Sequence, residues 1–259
     1  MNRQKKFNPD GTIKSRGIEW TDQSWNPVRG CEQGCCWEME DGSVATCYAK
    51  AVAEGVASAA YPNGFEAHYF RPDSLDEPLK LKEPNKIFLG SMTDLFGVWV
   101  PEKQLRQVLA VCREAHWHTI QTLTKNPGRL LKFADLFPRN LWVGVSMPPT
   151  IMRGNTLTQV QQSRYMDKTL DVLSTLKPRV PVRWLSLEPL SFDVGPMLWA
   201  YEDAVNWIVV GAASNGPKKY QPDPEHVRHV LRFADAHRIP VFMKGNLEWP
   251  HRREEFPGV

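Results

Sequence analysis

Residues 86–94 read KIFLGSMTD. The stretch begins as an apolar run too short to show a helical period, then turns polar at Ser91, Thr93 and Asp94. A near-continuous apolar run of this length suits a strand buried on both faces, and such strands belong to parallel sheets. The pattern recurs in HTIQTLT (118–124), LWVGVSM (141–147), VRWLSLE (182–188), VNWIVVG (205–211) and IPVFMK (239–244). One more strand is expected within 18–27. Helical periodicity fills the intervals: 48–60, 101–115 with Pro101 at its first turn, 127–136, 158–176 and 224–237. The Pro- and Gly-rich stretches 148–154 and 216–223 read as loops. Seven strand candidates alternating with helices specify an α/β protein. A (β/α) barrel, partial rather than complete, is the expected form. An open doubly wound sheet competes with it, and periodicity does not separate the two.

The 259 residues fit one domain of barrel size, and 42 % hydrophobic residues suffice for a large core. The expected organisation is a basic, flexible segment 1–17, a single domain 18–248 and a tail 249–259. A formal net charge of +3 is too small to imply a nucleic-acid partner from composition alone. No window approaches the ~18 apolar residues of a membrane span. Segment 1–17 lacks the apolar core of a secretory signal, so a soluble, cytoplasmic protein without membrane contact is expected.

The expected strands end in polar groups: Thr93 and Asp94, Lys125 and Asn126, Ser146, Glu188, Ser214 and Asn215, Lys244 and Asn246. In parallel (β/α) architectures chemistry sits at these C-terminal strand ends. A convergent ring of such residues implies a polar small-molecule site.

Four of the five cysteines lie within NPVRGCEQGCCWEMEDGSVATCYA (26–49). Their spacing is Cys31-x3-Cys35, then eleven residues, then Cys47, with Cys36 as an extra thiol. In a reducing compartment, clustered cysteines bind metal or do chemistry more often than they form disulfides. Structural zinc takes four ligands in two short pairs or with histidines. Only one short pair is present here, although Cys36 offers a fourth thiolate. Three thiolates without a fourth ligand suit a [4Fe–4S] cluster with one open iron. Spacing leaves both metals in play. Cys112 stands apart in QLRQVLAVCREA and reads as a buried helix residue.

With these motifs in hand, the chain resembles the radical S-adenosylmethionine enzymes, in the branch related to spore photoproduct lyase. The resemblance runs through NPVRGCEQGC…CYA, LGSMTDLF (89–96) and QTLTKNPGRLL (121–131). A closer resemblance, from IEWTDQSWNP to PVFMKG, is to a phage-type protein group with the same three-cysteine motif. The family pattern has two residues between its second and third cysteines. Here Cys36–Thr46 intervene, an insertion of nine, and loop closure becomes only slowly costlier with length.

The resemblance implies a TIM-like barrel with Cys31, Cys35 and Cys47 as cluster ligands. Cys35 keeps the x3 spacing, and Cys36 is its alternative. It further implies S-adenosylmethionine on the open iron, reduced to release a 5′-deoxyadenosyl radical. Ser91, Thr93 and Asp94 would hold the cofactor's amino group and Lys125 its carboxylate. Ser146 and Glu188 would serve the ribose hydroxyls or the methionine moiety, and Tyr48 would pack over the cluster loop or near adenine. Trp20 and Trp25 read as aromatic packing at the first strand end. An electron donor such as flavodoxin or ferredoxin is implied, and no catalytic residue is assigned. The relation to a DNA-repair lyase turns the substrate expectation toward nucleic acid or a nucleotide-derived molecule, modified or cleaved. Arg71, Lys80, Lys82, Lys86, Lys218, Lys219, Arg252 and Arg253, with Tyr220, Trp249 and His251, are the basic and aromatic candidates for contacting it. The competing class is a non-enzymatic, zinc-stabilised barrel that binds nucleic acid or a protein.

Overall fold

The computed structural model describes residues 1–10, 12–38, 42, 44–213 and 221–258. All seven expected strands are present in one sheet, with an additional two-residue strand at its edge. In chain order they are β1 (Asn2–Arg3), β2 (Gln23–Trp25), β3 (Lys86–Leu89), β4 (Thr119–Thr124), β5 (Leu141–Ser146), β6 (Arg183–Leu187), β7 (Trp207–Val210) and β8 (Val241–Met243). Their spatial order is the same as their chain order. β1 runs antiparallel to β2, and every other neighbouring pair is parallel. The order never reverses, so the sheet lacks the switch point that defines a doubly wound fold.

The helices are α1 (Tyr48–Glu54), α2 (Glu102–Glu114), α3 (Pro127–Phe133), α4 (Gln159–Thr175), α5 (Gly195–Ala200) and α6 (Pro224–His237). Local chemistry starts them where the sequence indicates. Thr158 and Gln161 form a reciprocal capping box at α4, and the Asp223 side chain accepts from Glu225 N at α6. α1 is shorter than its expected span: it stops at Gly55, and a single 3-10 turn follows at Ser58–Ala60. The expected loop 148–154 instead carries the short strand Ile151–Met152, paired with Asn155–Thr156. Most of 216–223 lies outside the described residues, as do Ser214 and Asn215.

Successive strand residues face opposite sides, and here the two sides differ in kind. Ile87, Leu141, Val143, Leu185 and Val241 join the aliphatic core shared with α2, α4 and α6. Phe88, Trp142, Trp184, Trp207 and Phe242 form a second, aromatic cluster with Trp20 on the other face. Both faces are apolar at that level, which is why the strands read as continuous runs. The aromatic face is concave. Trp20, just before β2, lies 5.1 Å from Trp184 and 6.2 Å from Trp207, ring centre to ring centre. Trp20 lies across this face, its carbonyl accepting from Gln121 Nε2 of β4 at 3.3 Å, and residues at the ends of β3 to β8 line one cavity there, so the sheet is curved around it.

Both termini are tied to the sheet. Segment 1–17, expected to be flexible, holds β1 and a hairpin of Lys5–Phe7 with Ile13–Arg16. Gln4 anchors it by donating to Ser24 Oγ at 3.0 Å and accepting from Ile18 N at 2.9 Å. In the tail, Trp207 Nε1 donates to Glu255 O at 3.0 Å. Gly245 N donates to Glu19 Oε1 at 3.0 Å, and Arg252 pairs with the same carboxylate, linking the start of the sheet to its last strand. No helix among the described residues is long and apolar enough to cross a membrane.

Gly144, in the middle of β5, leaves room for the Trp184 ring. A Cβ built there would lie 2.5 Å from Trp184 Cε2, and that ring is fully buried. Gly144→Ala is therefore expected to destabilise the protein by roughly 1–3 kcal/mol through overpacking. Equilibrium urea unfolding measures it, and an unchanged midpoint would contradict the packing.

Candidate functional site: a cysteine-lined cavity

The concave face changes character along each strand. Trp142 is followed at every second residue by Gly144 and Ser146, Trp184 by Ser186 and Glu188, and Phe242 by Lys244. The aromatic rings fill one end, and the polar residues line a cavity of about 1050 Å³, including its open mouth, at the C-terminal ends of the strands. Cys31, Cys35 and Cys47 line it, as do Ser91, Thr93, Asp94, Lys125, Ser146 and Glu188. The structure thus brings all the expected cofactor residues to one void.

The insertion after Cys35 is a β-hairpin. Cys36–Glu38 pairs antiparallel with Val44–Thr46, in register Cys36 to Thr46 and Trp37 to Ala45. Cys35 and Cys47 flank its base, and Cys47 N donates to Cys35 O at 3.2 Å. Alternation along the strand directs Cys35 and Trp37 into the cavity, while Cys36 is not among the lining residues. Ile151 pairs with Cys36 on the outer side, so the loop after β5 braces the hairpin. Cys47 also packs against Ala49, Ala53, Tyr61 and Phe65, as Cys31 does, and so joins the two halves of the thiol cluster.

Cys31 is set by the backbone. Gly30, at φ +88°, donates to Met92 O at 3.0 Å, and Cys31 N donates to Phe65 O at 2.9 Å. A Cβ on Gly30 would fall 1.8 Å from Ala67 O, so only glycine permits this approach. The polar end of β3 holds the same loop. Thr93 Oγ1 donates to Gly30 O at 2.6 Å, Asn26 Nδ2 donates to Ser91 Oγ at 3.0 Å, and Tyr48 OH donates to Ser91 O at 2.6 Å.

Asp94 is 5 % exposed and accepts four hydrogen bonds. Oδ1 takes Thr124 Oγ1 at 2.7 Å and Phe96 N at 3.1 Å. Oδ2 takes Gln33 Nε2 and Lys125 N, both at 2.9 Å. Lys125 Nζ lies over the Trp37 ring, 5.8 Å from its centre. Burial alone would lower the Lys125 pKa, but Cys35, Cys47, Asp94 and Cys31 together outweigh it and raise the value. Burial pushes the Cys35 thiol up to about 11, opposed by Lys125 and reinforced by Cys47 and Asp94. Farther round the rim, Glu188 pairs with Lys244 at 2.8 Å and accepts from Ser186 Oγ at 3.1 Å.

Three buried polar atoms of cavity-lining side chains have no partner among the described residues: Gln33 Oε1, Trp37 Nε1 and Trp20 Nε1. Gln33 and Trp37 carry no signal in the sequence, because one occupies a variable spacer and the other an insertion. Trp25 is core, as expected, with Nε1 donating to Ser74 O at 2.7 Å. Cys112 is buried in α2.

A sequence profile for a family described as protein of unknown function, DUF5131, matches residues 15–255. The chain belongs to that family. No curated protein matches it. Among solved structures, a Cys-to-Ser variant of spore photoproduct lyase aligns with TM-score 0.54 and a Tyr-to-Phe variant with 0.52. Each is 8 % identical, over 94 % of this chain and 80 % of its own. Spore photoproduct lyase complexed with dinucleoside spore photoproduct aligns at TM-score 0.49 and 9 % identity, over 90 % of this chain. The chain spans 64 % of that one. At such identities the likeness is one of fold: an α/β protein with a large parallel sheet.

The basic residues singled out in this DUF5131 chain are mostly ion-paired. Arg71 binds Asp73 at 2.7 Å, Lys80 binds Asp76 at 3.1 Å, and Lys86 lies 3.9 Å from Asp22. Arg252 pairs with Glu19 and Glu254, and Arg253 with Asp235 and Glu255. Lys218, Lys219 and Tyr220 lie outside the described residues.

Asp94→Asn would put an amide NH2 against a backbone N–H donor whichever way it turned, Phe96 N or Lys125 N. It is expected to lower the stability of the metal-free protein by about 2 kcal/mol or more, read by denaturant unfolding. Unaltered stability would mean that the carboxylate does not hold these segments together.

Proposed function

We propose that this DUF5131 protein is a radical S-adenosylmethionine enzyme on a partial (β/α) barrel, with Cys31, Cys35 and Cys47 as ligands of a [4Fe–4S] cluster. One observation carries the reading. A hairpin closes on Cys35 and Cys47 and, with Cys31, turns three thiols into the polar end of one cavity.

The donor types fit: Cys31, Cys35 and Cys47 line one cavity and are soft ligands of the kind iron–sulfur clusters take, and among the described residues no three Cys, His, Asp or Glu side chains are grouped around a single point. When bound, such a cluster supplies one electron to the sulfonium of S-adenosylmethionine. The chain's own part is to bind, orient and shield. Ser91, Thr93 and Asp94 spend their side chains on Asn26, Gly30 and Gln33, and so act on the cofactor through the cysteine loop. Lys125 offers a cation to a carboxylate at the thiol end. Ser146 and the Glu188–Lys244 pair serve the nucleoside end or the substrate. A nucleotide-derived substrate that enters the cavity suits this chain better than a duplex laid across its surface, because Arg71, Lys80, Lys86, Arg252 and Arg253 are engaged by carboxylates. An electron-delivering partner of the flavodoxin or ferredoxin type, in the cytoplasm, completes the scheme.

Anaerobic reconstitution with iron and sulfide, followed by electron paramagnetic resonance of the reduced protein, tests it. The expected result is a [4Fe–4S]⁺ signal that shifts on adding S-adenosylmethionine. It is lost in Cys31→Ala, Cys35→Ala and Cys47→Ala, and kept in Cys36→Ala. Tightly held zinc at one per chain without iron would overturn the reading in favour of a structural metal knot.

A further inference from the structure

Asp94 has no acceptor position left for a ligand. A carboxylate offers about four lone-pair sites, and Gln33, Phe96, Thr124 and Lys125 fill them. The strand-end acid is therefore a fixed point of the protein, and what it fixes is Gln33. Because a carboxylate only accepts, the amide nitrogen of Gln33 must be the atom that faces Asp94 Oδ2, and this sets the orientation of the amide. Its oxygen then points away from Asp94. Gln33 is 2 % exposed, lines the cavity, and has an Oε1 with no partner among the described residues. Buried amide oxygens are rarely left unpaired, because desolvation without a replacement bond costs stability. The oxygen itself is closed to water, so a donor reaches it only where the cavity wall gives.

We infer that Gln33 Oε1 is the acceptor for the amino group of the bound cofactor, and that Asp94 is the positioning residue that aims it. The inference rests on the radical S-adenosylmethionine reading and assigns one contact within it. Location and charge select the group. Gln33 lies between Cys31 and Cys35, so its side chain serves the end of the ligand nearest the thiols. Lys125, bonded through its backbone to the same Asp94 oxygen, carries a cation there. An amino acid moiety presents one donor group and one anionic group. The site answers with one acceptor, Gln33 Oε1, and one cation, Lys125 Nζ.

The test uses reconstituted protein and two inert probes, S-adenosylhomocysteine and its deaminated analogue, with Kd measured by anaerobic equilibrium dialysis and iron content measured alongside. Gln33→Leu, and Gln33→Met as a second variant, remove the acceptor while preserving bulk. The expected result is iron as in the parent, about tenfold weaker binding of S-adenosylhomocysteine, and affinity for the deaminated probe within about twofold of the parent. Discrimination between the probes then falls by the same factor of about ten. A structural role alone would weaken both probes alike, and that outcome overturns the assignment. Loss of iron in both variants also overturns it, since Gln33 would then serve the loop's fold. Parent protein that holds no iron, or binds neither probe, overturns the cluster reading and this contact with it. Parent protein that binds both probes, with discrimination unchanged in the variants, overturns the contact alone.

Discussion

The carboxylate of Asp94 is the interaction on which the site depends. Four donors reach it from three separate parts of the chain: the cysteine loop, the turn after β3 and the end of β4. A buried ionised group is tolerated only when its acceptor positions are satisfied. The converse holds as well, because each donor is pinned by the charge it serves. Position 33 in the cysteine loop, the start of the turn at Phe96 and the backbone of Lys125 therefore share one reference point. Hydrogen bonds to a charged group are about twice as strong as neutral ones. The cavity's polar wall thus hangs on one anchor.

Around that point the sheet supplies scale. Its strands follow one another without reversal, and its concave face begins in tryptophan and ends in serine, glutamate and lysine. Curvature and chemistry come from the same alternation. The bulky half of the inner rows packs ring on ring, and the small polar half leaves the opening. Gly144 marks the border on β5, between Trp142 behind it and Ser146 ahead.

The strands were legible in the sequence because both faces are apolar at the level of the rings, so each announced itself as an unbroken run. The polar strand ends were legible for the same reason, as interruptions of those runs. What could not be read were relations between distant segments. Asp94 was expected to face a ligand directly, yet its partners come from positions 33, 96, 124 and 125, and nothing local to Asp94 reveals that they fill it. The stretch from Cys36 to Thr46 looked like a loop lengthened by insertion. Its pairing makes it a hairpin, and the separation of Cys35 from Cys47 along the chain becomes a backbone contact. The same blindness applied to 1–17, whose polar composition concealed the role of Gln4 in binding Ser24 and Ile18. α5 also escaped notice, being a six-residue helix too short to establish a period.

The aromatic cluster has a consequence for what the cavity can hold. Trp20, Trp184 and Trp207 are each at most 2 % exposed, and together they fill the end of the curved sheet opposite the cysteines' rim. Trp20 also lines the cavity, together with Phe88, so the void ends on aromatic faces, and a flat ring lodged at that end would lie against other rings.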